Sequence, residues 1–437
     1  MRPSPPSSFS HLMRTVATLG FAGVLLGGCH DDERAARTLR YWSSNNSQEI
    51  AFADRMVQAW NATHPDQPVA FQPVPEGQSS EEIILAAVVG GTTPDIYSNM
   101  WQGDVERYAR AGRLVPLDTL RGFRDYLRAR CDSAVIREIT SDDGHIYQIP
   151  WKVNPIVMIY NQTIVDTLAR RAPQTYAEFL AAAQRFHQDR DGDGYVDQWF
   201  GYSEPQVTWW QRFFDFYPLY LAASGGAPLI EHNRAVFDNE HAVAVFAFLQ
   251  ALYQQQYFPR ERLSARQDPF LANVIATRFT GPWEISHADQ FKPEGFQYAF
   301  AEMPAPAGAP EPHFTYGDPK NMVIFNTCTR PQDALDFLMF ATNAENDLAL
   351  LELTSQLPRR KALLQHDLFA PFFEAHPKMV FFARQAAYVR GTDNSEVMKE
   401  VFDLISQEYE ACVIYGQKTP EEAVHDAAQA VNLLFTQ

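Results

Sequence analysis

Three short stretches of this chain set a flat ring beside amides, hydroxyls or a charge: Trp42-Ser43-Ser44-Asn45, Ser98-Asn99-Met100-Trp101-Gln102 and Trp151-Lys152. Trp209-Trp210, Trp283-Glu284 and Tyr316-Gly317-Asp318 add similar material further along. An indole or phenol ring covers the C–H face of a sugar, while the neighbouring polar groups take its hydroxyls. The candidate ligand contacts are therefore Trp42, Asn45, Asn99, Trp101, Gln102, Trp151, Lys152, Trp209, Trp283, Glu284, Tyr316 and Asp318. Each has a plainer reading. A tryptophan at a strand end is as often a core anchor as a platform, which holds for Trp42 and Trp151. If Trp209 and Trp210 share a helix, only one ring faces a cleft easily. Arg359 and Arg360 read as a surface pair rather than ligand contacts.

A second chemistry lies in Asp189-Arg190-Asp191-Gly192-Asp193-Gly194-Tyr195-Val196-Asp197. Oxygens at loop positions 1, 3, 5, 7 and 9 (Asp189, Asp191, Asp193, the Tyr195 carbonyl and Asp197), with glycine at position 6, match the start of an EF-hand calcium loop. Position 12 is Phe200 rather than a bidentate Glu, and Glu204 is the nearest replacement. A structural Ca²⁺ and a solvated acidic turn without metal both fit these residues, and no cofactor is required by the rest of the chain.

Catalytic patterns are missing. The sequence has no Gly-x-Ser-x-Gly elbow, His-Glu-x-x-His zinc helix, Gly-x-x-x-x-Gly-Lys phosphate loop or Gly-x-Gly-x-x-Gly turn. Cys131, Cys328 and Cys412 follow no metal spacing. The chain reads as a binding protein, not an enzyme.

With 437 residues, 46% of them hydrophobic, the chain can fill two or three domains. A net charge of −17 argues against nucleic acid, which needs clustered Lys and Arg. At the N-terminus Arg14 precedes an apolar run, Val16 to Leu26, too short to span a bilayer but sized for a signal peptide. It ends in Leu26-Gly27-Gly28-Cys29, which resembles a bacterial lipobox. The expectation is a leader over 1–28, lipidation at Cys29, a tether over 29–37, and a protein exported and held at a bacterial membrane, facing the periplasm or the cell exterior. Two or more acyl chains suffice for a firm anchor. An ordinary secretory signal with a chance cysteine is the alternative. An exported chain could also oxidise one pair of its three remaining cysteines.

The segments that must position the rings alternate strand and helix. Thr38–Trp42, Val69–Val74 and Asp95–Ser98 have strand character, with helices between them. Asn46 with Glu49 predicts a capping box, followed by a buried stripe of Ala53, Met56, Val57 and Trp60. Thr175 with Glu178, and Thr419-Pro420-Glu421-Glu422, predict two more helix starts. The proline-rich stretch 303–312 predicts a loop or crossover. This order predicts a parallel α/β sheet in the first part of the chain.

Several segments in order resemble the family 1 extracellular solute-binding proteins, the maltose-binding-protein-like receptors of ABC importers. They are Pro94-Asp95-Ile96-Tyr97 with Gly112-Arg113-Leu114-Val115-Pro116-Leu117; Tyr147-Gln148-Ile149-Pro150-Trp151 with Ile159-Tyr160-Asn161; and Pro173-Gln174-Thr175-Tyr176-Ala177-Glu178. Phe279-Thr280-Gly281-Pro282-Trp283, Leu357-Pro358-Arg359-Arg360 and Lys418-Thr419-Pro420-Glu421-Glu422-Ala423 complete the series. The resemblance implies a type II periplasmic-binding-protein fold, α/β, with two lobes joined by crossing hinge segments. Lobe one would hold 38–150 and 303–355, lobe two 155–300 and 357–437, with crossings near Pro150–Pro155, Met303 and Pro358. It also implies a monomer that captures a small solute, most simply a sugar or oligosaccharide, in the cleft, places Trp283 near that cleft, and hands the solute to ABC permease subunits. A polyamine, a metal chelate or an organic anion is the rival ligand, and a surface glycan-active lipoprotein enzyme the rival class.

Overall fold

The computed structural model describes residues 38–75, 79–186, 189, 191–205, 207–263 and 267–436. The expected leader, the tether and Cys29 lie outside the described residues.

In β1 (Leu39–Ser43) Leu39, Tyr41 and Ser43 are buried and Arg40 is exposed, the period of two that puts one face on a core. β1 runs parallel between β2 (Val69–Pro73) and β3 (Ile96–Trp101). Two later strands enter the same sheet: β12 (Lys320–Ile324) is antiparallel to β3 and to β4 (Ile149–Val153), and β13 (Leu357–Pro358) is antiparallel to β4. The order is β13-β4-β12-β3-β1-β2. A second sheet has the order β10-β5-β9-β6, from β5 (Val157–Asn161), β6 (Trp199–Tyr202), β9 (Ile275–Thr280) and β10 (Tyr298–Ala301). Only β6 and β9 are parallel there. Two small ribbons complete the strands: β7 (Ile230–Glu231) with β8 (Arg234–Ala235), and β11 (Thr315–Tyr316) with β14 (Val389–Arg390). The parallel expectation thus describes β1 to β3, and both sheets are mixed overall.

Each sheet has its own core. Tyr41, Phe52, Met56, Trp60, Trp151 and Phe337 pack in the first. Phe179, Phe200, Phe248, Leu252, Val401 and Val424 belong to the second, which the C-terminal helices Met398–Tyr409 and Pro420–Leu434 complete. The Thr175 and Thr419 boxes form as expected. At Asn46 only half the box forms. Its side chain accepts from the Gln48 and Glu49 N–H groups, but the Glu49 carboxylate turns inward. There it accepts from Lys152 Nζ at 2.6 Å and from Gln356 Nε2 at 2.7 Å.

The chain leaves the first sheet after Val153 and enters the second at Val157. Met303, Ala305 and Tyr316 still belong to the second core, and Ala305 bridges to Thr175. The return therefore falls between Gly317 and Lys320, not near Met303. The two crossings touch: Asn154 N–H donates to the Gly317 carbonyl at 2.6 Å, and Ile156 N–H to that of Tyr316 at 2.9 Å. Asn154 Nδ2 also donates to Gln356 Oε1 at 3.1 Å, beside the third crossing. Cys131, Cys328 and Cys412 are buried free thiols. Among the described residues no helix is long and apolar enough to cross a membrane.

Candidate functional site

β3 ends at Trp101, and the helix Gln102–Arg110 starts directly from it. Asn99 reaches φ 74°, a left-handed conformation that an amide side chain tolerates better than most. The Trp101 indole lies over Gly103, where even a Cβ would come within 2.2 Å of the ring. That ring is 2% exposed and enters the second body. Its centroid is 4.9 Å from Trp209 and 5.7 Å from Phe213, both on the 3₁₀ turn Trp209–Phe213. Its N–H donates to Tyr316 Oη at 3.3 Å, and Tyr316 stacks on Phe213 at 4.5 Å. One ring from the first body is thus clasped by three from the second.

Charges surround this cluster. Lys320 Nζ lies 3.5 Å from Asp318 and 3.9 Å from Glu81, and Lys399 Nζ is 5.7 Å from the Trp209 ring centroid. Burial lifts the Asp318 carboxyl above the ordinary range. Asp104 is 8% exposed. Burial and then the Glu81 charge push its carboxyl up to about 7, against the pull of Arg107, Lys320 and Lys399. At neutral pH it therefore serves as donor or acceptor.

The same shift fixes a stability signature. The folded chain holds the Asp104 proton to higher pH than the unfolded chain does. This group's contribution to stability is complete below its ordinary value of 3.8 and is lost as pH rises through about 7. Asp104→Asn should leave the melting temperature near pH 4 almost unchanged and raise it at pH 8. Parallel melting curves for the two proteins from pH 4 to 9 would contradict this.

The bodies also touch beside the rings. Arg110 pairs with Glu396 at 3.3 Å and Arg107 with Glu400 at 3.8 Å. Gly391 N–H donates to Glu138 Oε1 at 3.1 Å, and Gly391 lies so close to Gln102 Oε1 that a Cβ would come within 1.9 Å.

Trp101, Trp209, Tyr316 and Asp318 are thus brought together. Gln102 is buried beside them, and its Nε2 has no hydrogen-bond partner among the described residues. Trp283 is half-buried next to Phe214, 6.2 Å between centroids, with its ring over Gly281. Asn45 is exposed after β1, and Trp42 packs partly against the cluster of Tyr97, Met100 and Val105. Three expectations are corrected. Trp151 is 1% exposed in the first core, near Phe52. Lys152, whose ammonium form burial disfavours, is held by Glu49. Glu284 turns into the second body, onto Arg278 and Thr280. The sequence reading missed Phe213, Glu81, Asp104, Lys320 and Lys399. Glu81, Asp104, Lys320 and Lys399 sit beside no ring in sequence, so a search for aromatic–polar neighbours passes over them, and Phe213 lies in the aromatic run that follows Trp209-Trp210.

In the acidic loop, Asp189, Asp191 and Asp197 each offer a carboxylate oxygen, all within 4.8 Å of one another. Asp189 also accepts from Gly192 and Gly194 N–H at 2.7 and 2.8 Å. Asp193 is outside that trio and accepts from Tyr195 N–H. Glu204 pairs with Arg262 at 3.0 Å and does not complete the loop.

The sequence model described as bacterial extracellular solute-binding protein matches residues 55–381. A maltotriose-binding protein of Pyrococcus abyssi is 23% identical over 265 residues, 60% of this chain and 52% of that protein, so the match spans about half that relative's length. An uncharacterized lipoprotein of Streptomyces antibioticus is 25% identical over 366 residues, 77% of this chain and 75% of the relative. The crystal structure of the cyclic α-maltosyl-1,6-maltose binding protein from Arthrobacter globiformis superposes with a TM-score of 0.75 at 21% identity, covering 91% of this chain and 98% of that one.

Proposed function

Because this chain belongs to the bacterial extracellular solute-binding proteins, we propose that it captures a sugar or oligosaccharide where its two bodies meet and delivers it to the membrane subunits of an ABC importer. One observation carries the reading: Trp101, Trp209, Phe213 and Tyr316 form a ring cluster from both bodies, edged by Glu81, Asp104, Asp318, Lys320 and Lys399. Flat apolar faces with donors and acceptors at their margins suit a pyranose. The names of the Pyrococcus and Arthrobacter proteins support the same ligand class.

Access follows from the packing. Trp101 must part from Trp209 before a ring can slide between them, so the bodies separate to admit the solute. A solute contacting both sides then favours their approach, because only the joined arrangement offers it two walls. No bond is made or broken, and the chain acts as a carrier rather than an enzyme. Lipidation at Cys29 would keep it beside its permease, with the solute-binding part outside the cell membrane.

Calorimetry with maltotriose, longer and cyclic oligosaccharides, and spermidine tests the reading. The expected result is saturable binding of at least one oligosaccharide, with no turnover of it. Spermidine binding without any sugar binding would replace this reading with a polyamine carrier. The carboxylates of Glu81, Asp104 and Asp318 suit a polyamine, but Lys320 and Lys399 among them disfavour it.

We propose also that the Asp189–Asp197 loop takes Ca²⁺ in a structural role, on the support of its carboxylate spacing and the convergence of Asp189, Asp191 and Asp197. Calcium should then raise the melting temperature by RT ln(1 + [L]/Kd) in free-energy terms, about 2.7 kcal/mol at 100 times Kd. Equal melts in calcium and in chelator would rule the site out.

A further inference from the structure

A groove between the two bodies lies beside the ring cluster, next to it through the pairing of Arg390 with Tyr316 in the β11–β14 ribbon. It is open to solvent, with a volume of about 1130 Å³, and none of the Trp101, Trp209, Phe213 or Tyr316 rings lines it. Its walls come from the helix Ser133–Glu138 of the first body, the crossing segment after β13, and residues 383–394 of the second body. Its lining residues include six arginines and lysines against three carboxylates, on a chain whose net charge is −17.

The carboxylates there are largely committed. Glu138 accepts from Arg359 Nη2 at 3.1 Å and from Gly391 N–H. Asp393 accepts the backbone N–H groups of Leu229 and Ile230 at 2.7 and 3.0 Å. Arg360 is taken by Asp347 at 2.7 Å, and Lys361 donates to the Arg128 carbonyl. The guanidinium groups of Arg137, Arg384 and Arg390 make no hydrogen bond or ion pair among the described residues. Arg137 stands on the first body, and Arg384 and Arg390 on the second. Planar guanidinium forks suit phosphoryl and sulfo oxygens, which they engage in pairs.

We propose that this inter-lobe groove binds a phosphoryl- or sulfo-bearing anion, held by Arg384 and Arg390 from one side and Arg137 from the other. The groove has room for more than a bare oxyanion, which suits a phosphoryl or sulfo group borne by a larger molecule, either a soluble ester or an anionic lipid headgroup. An anion spanning the bodies at the pivot favours the arrangement in which they touch. It then strengthens solute binding by the same factor by which solute strengthens anion binding. That coupling rests on the carrier reading; the anion site does not.

The test uses the full chain and no sugar. Melting temperature is followed against inorganic phosphate, with ionic strength held constant by sodium chloride. The expected result is a saturable rise of a few degrees in the wild type and in Trp101→Ala, and its loss in the Arg384→Gln, Arg390→Gln double variant. Arg384 pairs with no other group among the described residues, whereas the Arg390 charge also acts on the buried Asp393 carboxyl; if the unliganded double variant melts below the wild type, Arg137→Gln alone should weaken phosphate binding several-fold. A parallel titration with dihexanoyl phosphatidylglycerol below its micellar concentration separates the sources: tighter saturation by it than by phosphate assigns a lipid headgroup, the reverse a soluble ester. A response no greater than that to chloride, or one that survives in the double variant, overturns the proposal. Loss of sugar binding with retention of the phosphate response would overturn the carrier reading alone.

Discussion

Asp347→Ala is expected to destabilise the first body by about 3–5 kcal/mol, the range for breaking one side of a buried ion pair. Arg130 and Asp347 are each 1% exposed and joined by two hydrogen bonds of 2.6 and 3.1 Å. The same guanidinium donates to the Pro150, Trp151 and Thr342 carbonyls. Removing the carboxylate strands a full positive charge where water does not reach, and it loosens β4 where the chain leaves for the second body. Arg360 donates to the same carboxylate but is 14% exposed and can turn to solvent, so Arg360→Gln should cost much less. Urea unfolding of both variants decides the matter. Equal losses would show that burial of Arg130 is not what makes Asp347 costly to remove.

Trp101→Ala should weaken oligosaccharide binding by about 1–3 kcal/mol, the loss typical of a buried aromatic anchor, which is roughly 5- to 150-fold in Kd. The ring meets Trp209, Phe213 and Tyr316, so its removal takes one face from any sugar held there and one contact from the joined arrangement. Trp210, 42% exposed, is the control. Its alanine variant should bind as the wild type does. Calorimetry giving the same Kd for Trp101→Ala and Trp210→Ala would place the sugar elsewhere.

The elements were legible where the deciding forces are local. The stripe Ala53, Met56, Val57 and Trp60 is buried, and the Thr175 and Thr419 caps form, because period and cap depend on neighbours within a few residues. The Asn46 box fails because Lys152, 103 residues away, outbids the local N–H for Glu49. The same limit governs the site. Trp101, Trp209 and Tyr316 were visible as rings near polar groups, yet so were Trp151, Lys152 and Glu284, which serve the cores. Nothing near Trp151 in sequence announces Phe52 as its neighbour. Asp104, Lys320 and Lys399 gain meaning only once three remote stretches of chain meet. The late return of the chain was hidden for a similar reason. The proline-rich stretch marks irregular backbone, but Met303, Ala305 and Tyr316 are bound by packing to the second core.

The fastening of Lys152 and Gln356 onto Glu49 limits how the molecule swings. It clamps the outgoing strand and the base of the third connection to the first long helix, so they travel with that half. The turning bonds of the other two connections are then confined to 154–156 and 317–319, which hydrogen-bond to each other. Each of these carries a proline, Pro155 and Pro319, whose ring locks one torsion and restricts the residue before it. Gly317 is wedged between Val153 and Val389. With so few joints left to bend, the halves should move like a door on short pins, along one arc, rather than wobbling as beads on a cord.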